Sequence, residues 1–471
     1  MTRSMPTATP PLESAASRRI ALIVAAAFFM EQLDGSIIVT ALPSIADGFG
    51  ATVLGAGSGV TVYLLAMTVL VPAAGWLTNR IGARRLFAGA VGVFTLASLA
   101  CGLAPTLPAF IAARALQGGA AAFMSPVGRV VVLRETPRNR LIEAVATLTW
   151  PALVAPVIGP PLGGFIVGHA SWRWIFFLNL PLGLAGIALI LRVLAERPRP
   201  PRSRFDVSGF VLTALGLAST IQGLSMLGEH GSAGVATSLA VGGVACLCLA
   251  VAHARRTDGA LLDLAPLKVQ SFVISTVTAG FLSRIAINAA PFLLPLMFQV
   301  AFGLSPLASG SLVLVYMAGN LVMKTVTTPT LRRFGFRNVL VFNGALCAAS
   351  LLACGLLGPA SPRLVVGAVL FFAGAVRSLN FSAVNTLAFV DIHDDQRVGA
   401  SALATMLQQA TMALAVAIAT LTLTASQQWR HSPVLALVDF RTAWFTVAAI
   451  MALAALGSTR LAAHAGSDAT R

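Results

Sequence analysis

Charge is scarce in this chain. Only 10% of its 471 residues are charged, and lysine occurs just twice, at Lys268 and Lys324. A soluble protein carries about 25% charged residues, so water is excluded as the main solvent. Cysteine is sparse too. All five (Cys101, Cys246, Cys248, Cys347, Cys354) fall within apolar runs, so no disulfide framework is expected. No Gly-Lys-Ser/Thr phosphate loop is present, because the two lysines follow Leu267 and Met323. Nucleotide-driven pumping is thereby excluded. The six histidines (His169, His230, His253, His393, His431, His464) read as loop or tail residues. No Cys/His spacing makes a metal site, and no catalytic constellation is present. The chain therefore reads as neither an enzyme nor a metalloprotein, and no cofactor is expected.

What fills the sequence is hydrophobic residue, 57% of it. With about 20 apolar residues per crossing, fourteen spans are predicted: 20–43, 57–77, 86–104, 108–132, 141–168, 174–194, 207–226, 235–254, 272–300, 306–327, 338–358, 362–388, 399–424 and 440–462. They divide the chain into a disordered cytoplasmic tail (1–19), a six-helix bundle (20–194), a basic cytoplasmic linker (195–206), two inserted helices (207–254), a cytoplasmic loop (255–271), a second six-helix bundle (272–462) and a tail (463–471). No loop is long enough for a soluble domain.

The net charge of +16 invites a nucleic-acid partner. Sorting the 32 bases by loop removes that reading. With the N-terminus inside, about 25 fall on cytoplasmic segments, the asymmetry of the positive-inside rule. The partner implied is the lipid bilayer, and both termini are placed in the cytoplasm.

A weak internal repeat organises the spans. Aligning Gly82 with Gly335 matches Arg80 to Arg333 and Arg84 to Arg337 at an offset of 253. Spans one to six then correspond to nine to fourteen, with seven and eight inserted. Parallel six-helix repeats of this kind are a transporter plan.

The first span carries Glu31 and Asp34, three residues apart on one helix face. An ionised acid at bilayer depth costs roughly 2.5–3.5 kcal/mol, a cost carried where the group lines a watered path. A carboxyl that changes protonation there is a candidate proton carrier. Arg114 in the fourth span is a permanent cation and faces either these acids or backbone carbonyls. A fixed ion pair locking the two helices is the competing reading.

Several segments resemble the major facilitator superfamily, most closely its fourteen-helix drug:proton antiporter branch (EmrB/QacA type). Leu33-Asp34-Gly35-Ser36 through Pro43 looks like that branch's first-helix signature. Gly75 to Arg85 resembles the cytoplasmic loop motif, Arg114-Ala115-Leu116-Gln117-Gly118-Gly119 the buried-arginine motif, and Gly159-Pro160-Pro161-Leu162-Gly163-Gly164 the antiporter motif. Trp172 to Pro181 and Phe205-Asp206 are similar to further segments of the branch.

The resemblance implies an all-α polytopic inner-membrane protein, two six-helix bundles plus two inserted helices. It further implies a monomer working by alternating access on a small-molecule substrate, with protons as the coupling ion. Gly75, Asn79, Arg80, Gly82, Arg84, Gly159, Pro160, Gly163 and Gly164 would then be conformational elements. Asn79 stands where the loop motif usually carries an aspartate. Its amide keeps a hydrogen bond but lacks charge assistance, which implies a weakened clamp.

Arg284, at the repeat offset from Glu31, and Arg377 are expected to line the substrate cavity with Asn288, Asn320, Asn380 and Gln408. Three buried arginines against two acids leave one excess positive charge. The leading function is proton-coupled export of amphipathic toxic compounds. Export of an endogenous metabolite or organic anion, or a non-transporting membrane sensor, are the alternatives.

Overall fold

The computed structural model describes residues 14–136, 141–194, 196, 204–227, 233–257, 259–393 and 396–462. Most of the basic linker, most of the two tails, His230 and His464 lie outside the described residues. Among the described residues there is no strand, and twelve helical stretches are long and apolar enough to cross a membrane.

In chain order the helices are α1 (Ser14–Phe49), α2 (Val53–Ile81), α3 (Ala83–Leu103), α4 (Leu107–Glu135), α5 (Leu141–His169), α6 (Trp174–Val193) and α7 (Val207–Met226). There follow α8 (Ala233–Arg256), α9 (Gln270–Ala301), α10 (Pro306–Asn338), α11 (Gly344–Leu356), α12 (Arg363–Val390), α13 (Arg397–Trp429) and α14 (Leu437–Ser458).

Helix starts follow local chemistry. Thr52, Thr106, Asp206 and Ser305 each accept a bond from the backbone N–H three residues on, capping α2, α4, α7 and α10. Pro306 stands at the start of α10, where its missing N–H costs nothing. The apolar stretch Pro306–Leu356 runs through α10 and α11, but Gly335 interrupts it at φ 73°. Gly82, which the sequence alignment pairs with Gly335, takes φ 96° between α2 and α3. Both chain reversals therefore use a backbone conformation that favours glycine.

α1 packs on α2, α4, α5 and α6, while α9 packs on α13 and α14 and α10 on α12. Between the two sets, α5 lies on α10, α2 on α13 and α1 on α9. α7 lies over the α2–α13 seam with α8 packed on it, and Val235, Val241, Val244 and Leu249 of α8 are exposed. Apolar surface of that extent is what a lipid-facing helix presents.

The cores are unequal at the two ends. Toward the end away from the termini, one apolar core holds Ile37, Ile38, Leu42 and Phe110 together with Leu293, Phe298, Tyr316 and Trp444. Toward the termini the cores separate. One contains Phe28, Phe87, Phe94 and Val132 from the first half alone, the other Phe336, Leu340, Val384 and Leu387 from the second half alone. The core shared by both halves lies at the far end; toward the termini the halves have separate cores and touch where α2 meets α13.

Two expectations need correction. His169 and His253 are helical residues, the last of α5 and one in the final turn of α8. His253 Nε2 lies 2.8 Å from Asp206 Oδ1. Asp206 also accepts from the Gly209 and Leu261 backbone N–H groups, at 2.8 and 3.0 Å. Burial works against its charge, but these donors and His253 hold the carboxyl below its usual range. A depressed carboxyl contributes stability above its unfolded pKa and loses it as pH falls through the folded value. Asp206→Ala is expected to cost about 1 kcal/mol at pH 7 and less near pH 3. Thermal unfolding of the purified protein at both pH values checks this.

Candidate functional site

Asp34 lies at the centre of a polar cluster closed inside the first half. Its Oδ2 accepts from Arg114 Nη1 at 2.6 Å, and its Oδ1 accepts from Gln117 Nε2 and Asn179 Nδ2, each at 2.9 Å. Ser98 Oγ accepts from the same two amides at 2.7 and 3.2 Å. Arg114 and Gln117 come from one face of α4, Ser98 from α3 and Asn179 from α6. All five side chains are buried.

Arg114 gives a further bond to Gln117 Oε1 at 2.5 Å and one to the Gly59 carbonyl at 3.4 Å. Its guanidinium stands 4.1 Å from the centre of the Tyr63 ring, a cation–π geometry. The helices can approach this closely because Gly118 has no side chain. A Cβ there would overlap the Tyr63 carbonyl oxygen.

Glu31 does not share this cluster. It is buried, and its Oε2 accepts from Ser125 Oγ at 2.8 Å. The cation that acts on it is Arg129, a turn further along α4. Of the two acids expected to face Arg114, the structure brings only Asp34 to it.

The second half repeats part of this arrangement without the acid. Tyr316 stands at the repeat offset from Tyr63, and these are the only two tyrosines of the chain. Tyr316 is also buried, with Gly374 of α12 against its carbonyl and Arg377 6.0 Å from its ring centre. Arg377 Nε bonds the Ile287 carbonyl at 3.2 Å and the residue is half-buried.

Arg284 lies inside the second bundle. It gives bonds of 2.8 Å to the Ser275 carbonyl and to Asn385 Oδ1. Asn380 is buried beside it in the bundle, accepting from Ser283 Oγ at 2.5 Å. Both side chains are buried against partners from the second half. Asn288 is buried with an unpaired Nδ2 among the described residues, while Asn320 and Gln408 are half-buried. The expected surplus of one buried cation is also revised, since Arg377 is only half-buried and Asp439, buried at the start of α14, pairs with Arg430.

The halves meet along glycine and proline. A Cβ on Gly159 would overlap Ser36 Oγ, and one on Gly163 would lie 2.8 Å from the Ile37 carbonyl oxygen, both on α1. Across the halves, Gly164 faces the Pro306 carbonyl and Gly310 faces that of Pro160. Gln299 Nε2 adds a bond of 2.9 Å to the Thr40 carbonyl. These three contacts lie toward the closed end, and Gln409 Nε2 of α13 reaches Met67 Sδ of α2 at 3.4 Å as a further bond across the halves.

Comparison with known proteins matches this architecture. The description "Major Facilitator Superfamily" fits residues 24–416. The chain belongs to the major facilitator superfamily. It is a multi-pass membrane transporter with a small-molecule substrate, and not an enzyme.

Among its relatives, a protein of Serratia proteamaculans (strain 568) provisionally named multidrug resistance protein MdtD is 39% identical over 400 residues, 84% of this chain and 83% of that one. A protein of the same name from Escherichia coli O157:H7 is 36% identical over 441 residues, 92% of each chain. The fold is shared with the inward-open xylose transporter XylE of E. coli (TM-score 0.63, 15% identity, covering 94% of this chain and 96% of that one). It is also shared with an auto-inhibited POT family peptide transporter (TM-score 0.68, 14% identity, covering 94% and 96%).

In this superfamily member the loop motif works within each bundle. Arg84 bonds the Leu191 carbonyl at the end of α6, and Arg337 bonds the Thr459 carbonyl just past α14, the latter at 3.1 Å. The paired arginines thus tie each α2–α3-type reversal to the last helix of its own bundle. Arg80 stacks 5.2 Å from Trp76, which packs on Phe205 before α7. Gly75 is exposed, and Asn79 is half-buried with no side-chain hydrogen bond among the described residues.

Sequence reasoning missed Gln117, Asn179 and Ser98 as partners of Asp34. Gln117 was readable, three residues from Arg114 on one helix face. Ser98 and Asn179 give no periodic signal.

Proposed function

We propose that this protein is a proton-coupled exporter of amphipathic drugs or toxic compounds, working by alternating access in the inner membrane. The named relatives support the substrate class, and the Asp34 cluster supports the coupling. The single observation that carries the reading is the buried Arg114–Asp34 contact of 2.6 Å within a ring of amide donors.

An oxygen pair that accepts from Arg114, Gln117 and Asn179 matches the acceptor inventory of an ionised carboxylate. In the conformation parted toward the termini, Asp34 is then the deprotonated form, with its proton already given up on that side. Glu31, one turn nearer the parted end of α1, is placed to relay the proton. Opening the far end would rearrange the amide ring and let Asp34 take a proton there as substrate leaves. The proton gradient supplies the driving force, and no cofactor is needed.

The fourteen-helix branch is part of the same proposal. The twelve apolar stretches become fourteen crossings when Gly335 divides the 51-residue stretch Pro306–Leu356 and the 29-residue α5 is counted. Residues 20–194 and 272–462 then form the two bundles, 207–254 the inserted pair and 255–271 a cytoplasmic loop. An even count leaves both termini on one side, the cytoplasm by the charge asymmetry of the loops. The working unit is a monomer. Pro160 and Gly164 lie on the seam on which the halves rock, and Gly159 and Gly163 pack α5 on α1 beside it. Gly75, Asn79, Arg80, Gly82 and Arg84 stiffen the loop that the rocking moves.

The test uses everted vesicles holding a pH gradient and a pH-sensitive dye. Lipophilic cations, organic anions and sugars are added in turn. At least one amphipathic compound should collapse the gradient with the wild type and leave it intact with Asp34→Asn. A panel that moves protons with neither protein would refute the export reading.

A further inference from the structure

Cations without a counter-charge collect in the second half of the chain. In the first half Arg114 is matched by Asp34. In α9 to α14 the described acids are Asp391, which is exposed, and Asp439, which is held by Arg430. Neither Arg377 nor Lys324 has a carboxylate partner among the described residues.

Their placement is specific. Lys324 of α10 gives a bond of 2.6 Å to Ser382 Oγ of α12 and lies 5.9 Å from the Phe381 ring centre. Arg377 of α12 stands over Tyr316 of α10. Both cations therefore stand at the contact between α10 and α12. Tyr316, Asn320 and Lys324 fall at four-residue steps along one face of α10, so Asn320 sits between the two cations.

The donors also outnumber their acceptors. Arg377 uses only Nε, on the Ile287 carbonyl. Its two terminal nitrogens have no acceptor among the described residues, and the side chain is half-buried. The next residue of α9, Asn288, has a buried Nδ2 with no acceptor. A guanidinium fork with both ends open is the geometry that takes an oxyanion in bidentate fashion. Like charges held together at membrane depth are stabilised when an anion joins them.

We propose that Arg377 and Lys324, with Asn320 between them, form an oxyanion subsite between α10 and α12. It takes the carboxylate or sulfonate of an amphipathic substrate while the aromatic and apolar surroundings take its body. This rests on the transport reading for its purpose, but not for its test. The division of labour is then by halves, the first half handling the proton and the second the substrate anion.

The experiment is equilibrium binding to the purified protein by fluorescence polarisation, with no pH gradient. The probes are carboxyfluorescein and rhodamine 123, a polyanion and a cation on similar ring bodies. Carboxyfluorescein is expected to bind wild type, about tenfold or more weaker in Arg377→Gln and several-fold weaker in Lys324→Gln. Arg377→Lys should recover part of the loss. Rhodamine 123 affinity should stay level or rise in every variant, which also reports that each is folded. No carboxyfluorescein binding to wild type, equal binding by wild type and both Gln variants, or a parallel loss of both dyes would overturn the subsite. Anion binding that depends on Arg377 in a protein that moves no protons would keep the subsite and sink the export reading instead.

Discussion

Arg114→Met is expected to destabilise the protein by about 3–5 kcal/mol, the cost of leaving one partner of a buried pair without its counter-charge. Three donors converge on Asp34, and only Arg114 brings charge among them. Methionine fills the volume but leaves the carboxylate in an apolar helix interface, where Tyr63 and Phe176 ring the guanidinium. The double variant Asp34→Asn with Arg114→Met removes both charges and should recover most of the loss, since a buried pair replaced as a unit is often near neutral. The cycle is read from thermal unfolding in detergent. An Arg114→Met protein that melts within a degree of wild type would show that the pair holds little together.

The second large effect concerns alternation. Gln299 and Thr40 join the halves at the closed end, and Gln299 Nε2 lies 2.9 Å from the Thr40 carbonyl oxygen. Thr40→Cys and Gln299→Cys, combined with Cys246→Ser and Cys248→Ser, place two thiols across that contact. Cys101, Cys347 and Cys354 are buried and can stay. Oxidation of the two thiols to a disulfide should cut transport to roughly the vesicle background, because the far end can no longer part. Reduction of the disulfide should restore it. A cross-linked protein that keeps its rate would mean that the far end does not open during the cycle.

Much of this was readable in the chain. Gly82 and Gly335 were paired by sequence alone, and both take positive φ, since a reversal of this shape favours glycine. Asp34 stood out because an acid in an apolar run demands a partner, and Arg114 answered that demand. Other features were invisible for physical reasons. Glu31 and Asp34 share a helix face, yet three residues turn that face by about 60°, enough to give them different neighbours. Ser98 and Asn179 are single polar residues on other helices, and no spacing announces that they converge. The arginines of the two loop motifs bond the chain ends of α6 and α14, contacts that only tertiary packing creates. Arg284 is expected at the cavity because it matches Glu31 in the repeat, but nothing in the sequence signals its partners. Its bonds to the Ser275 carbonyl and Asn385 come from α9 and α12, whose relative packing the repeat does not encode.

The central claim is that Asp34 exchanges a proton for substrate. Its most direct measurement is proton release from purified wild type, Glu31→Gln and Asp34→Asn in weakly buffered detergent solution, followed with a pH dye as substrate is added. Substrate draws the protein out of its protonated form into the deprotonated one described here, so wild type should release protons in proportion to the substrate bound, and Asp34→Asn should release none while still binding. An Asp34→Asn protein that binds substrate and releases protons as wild type does would contradict the account.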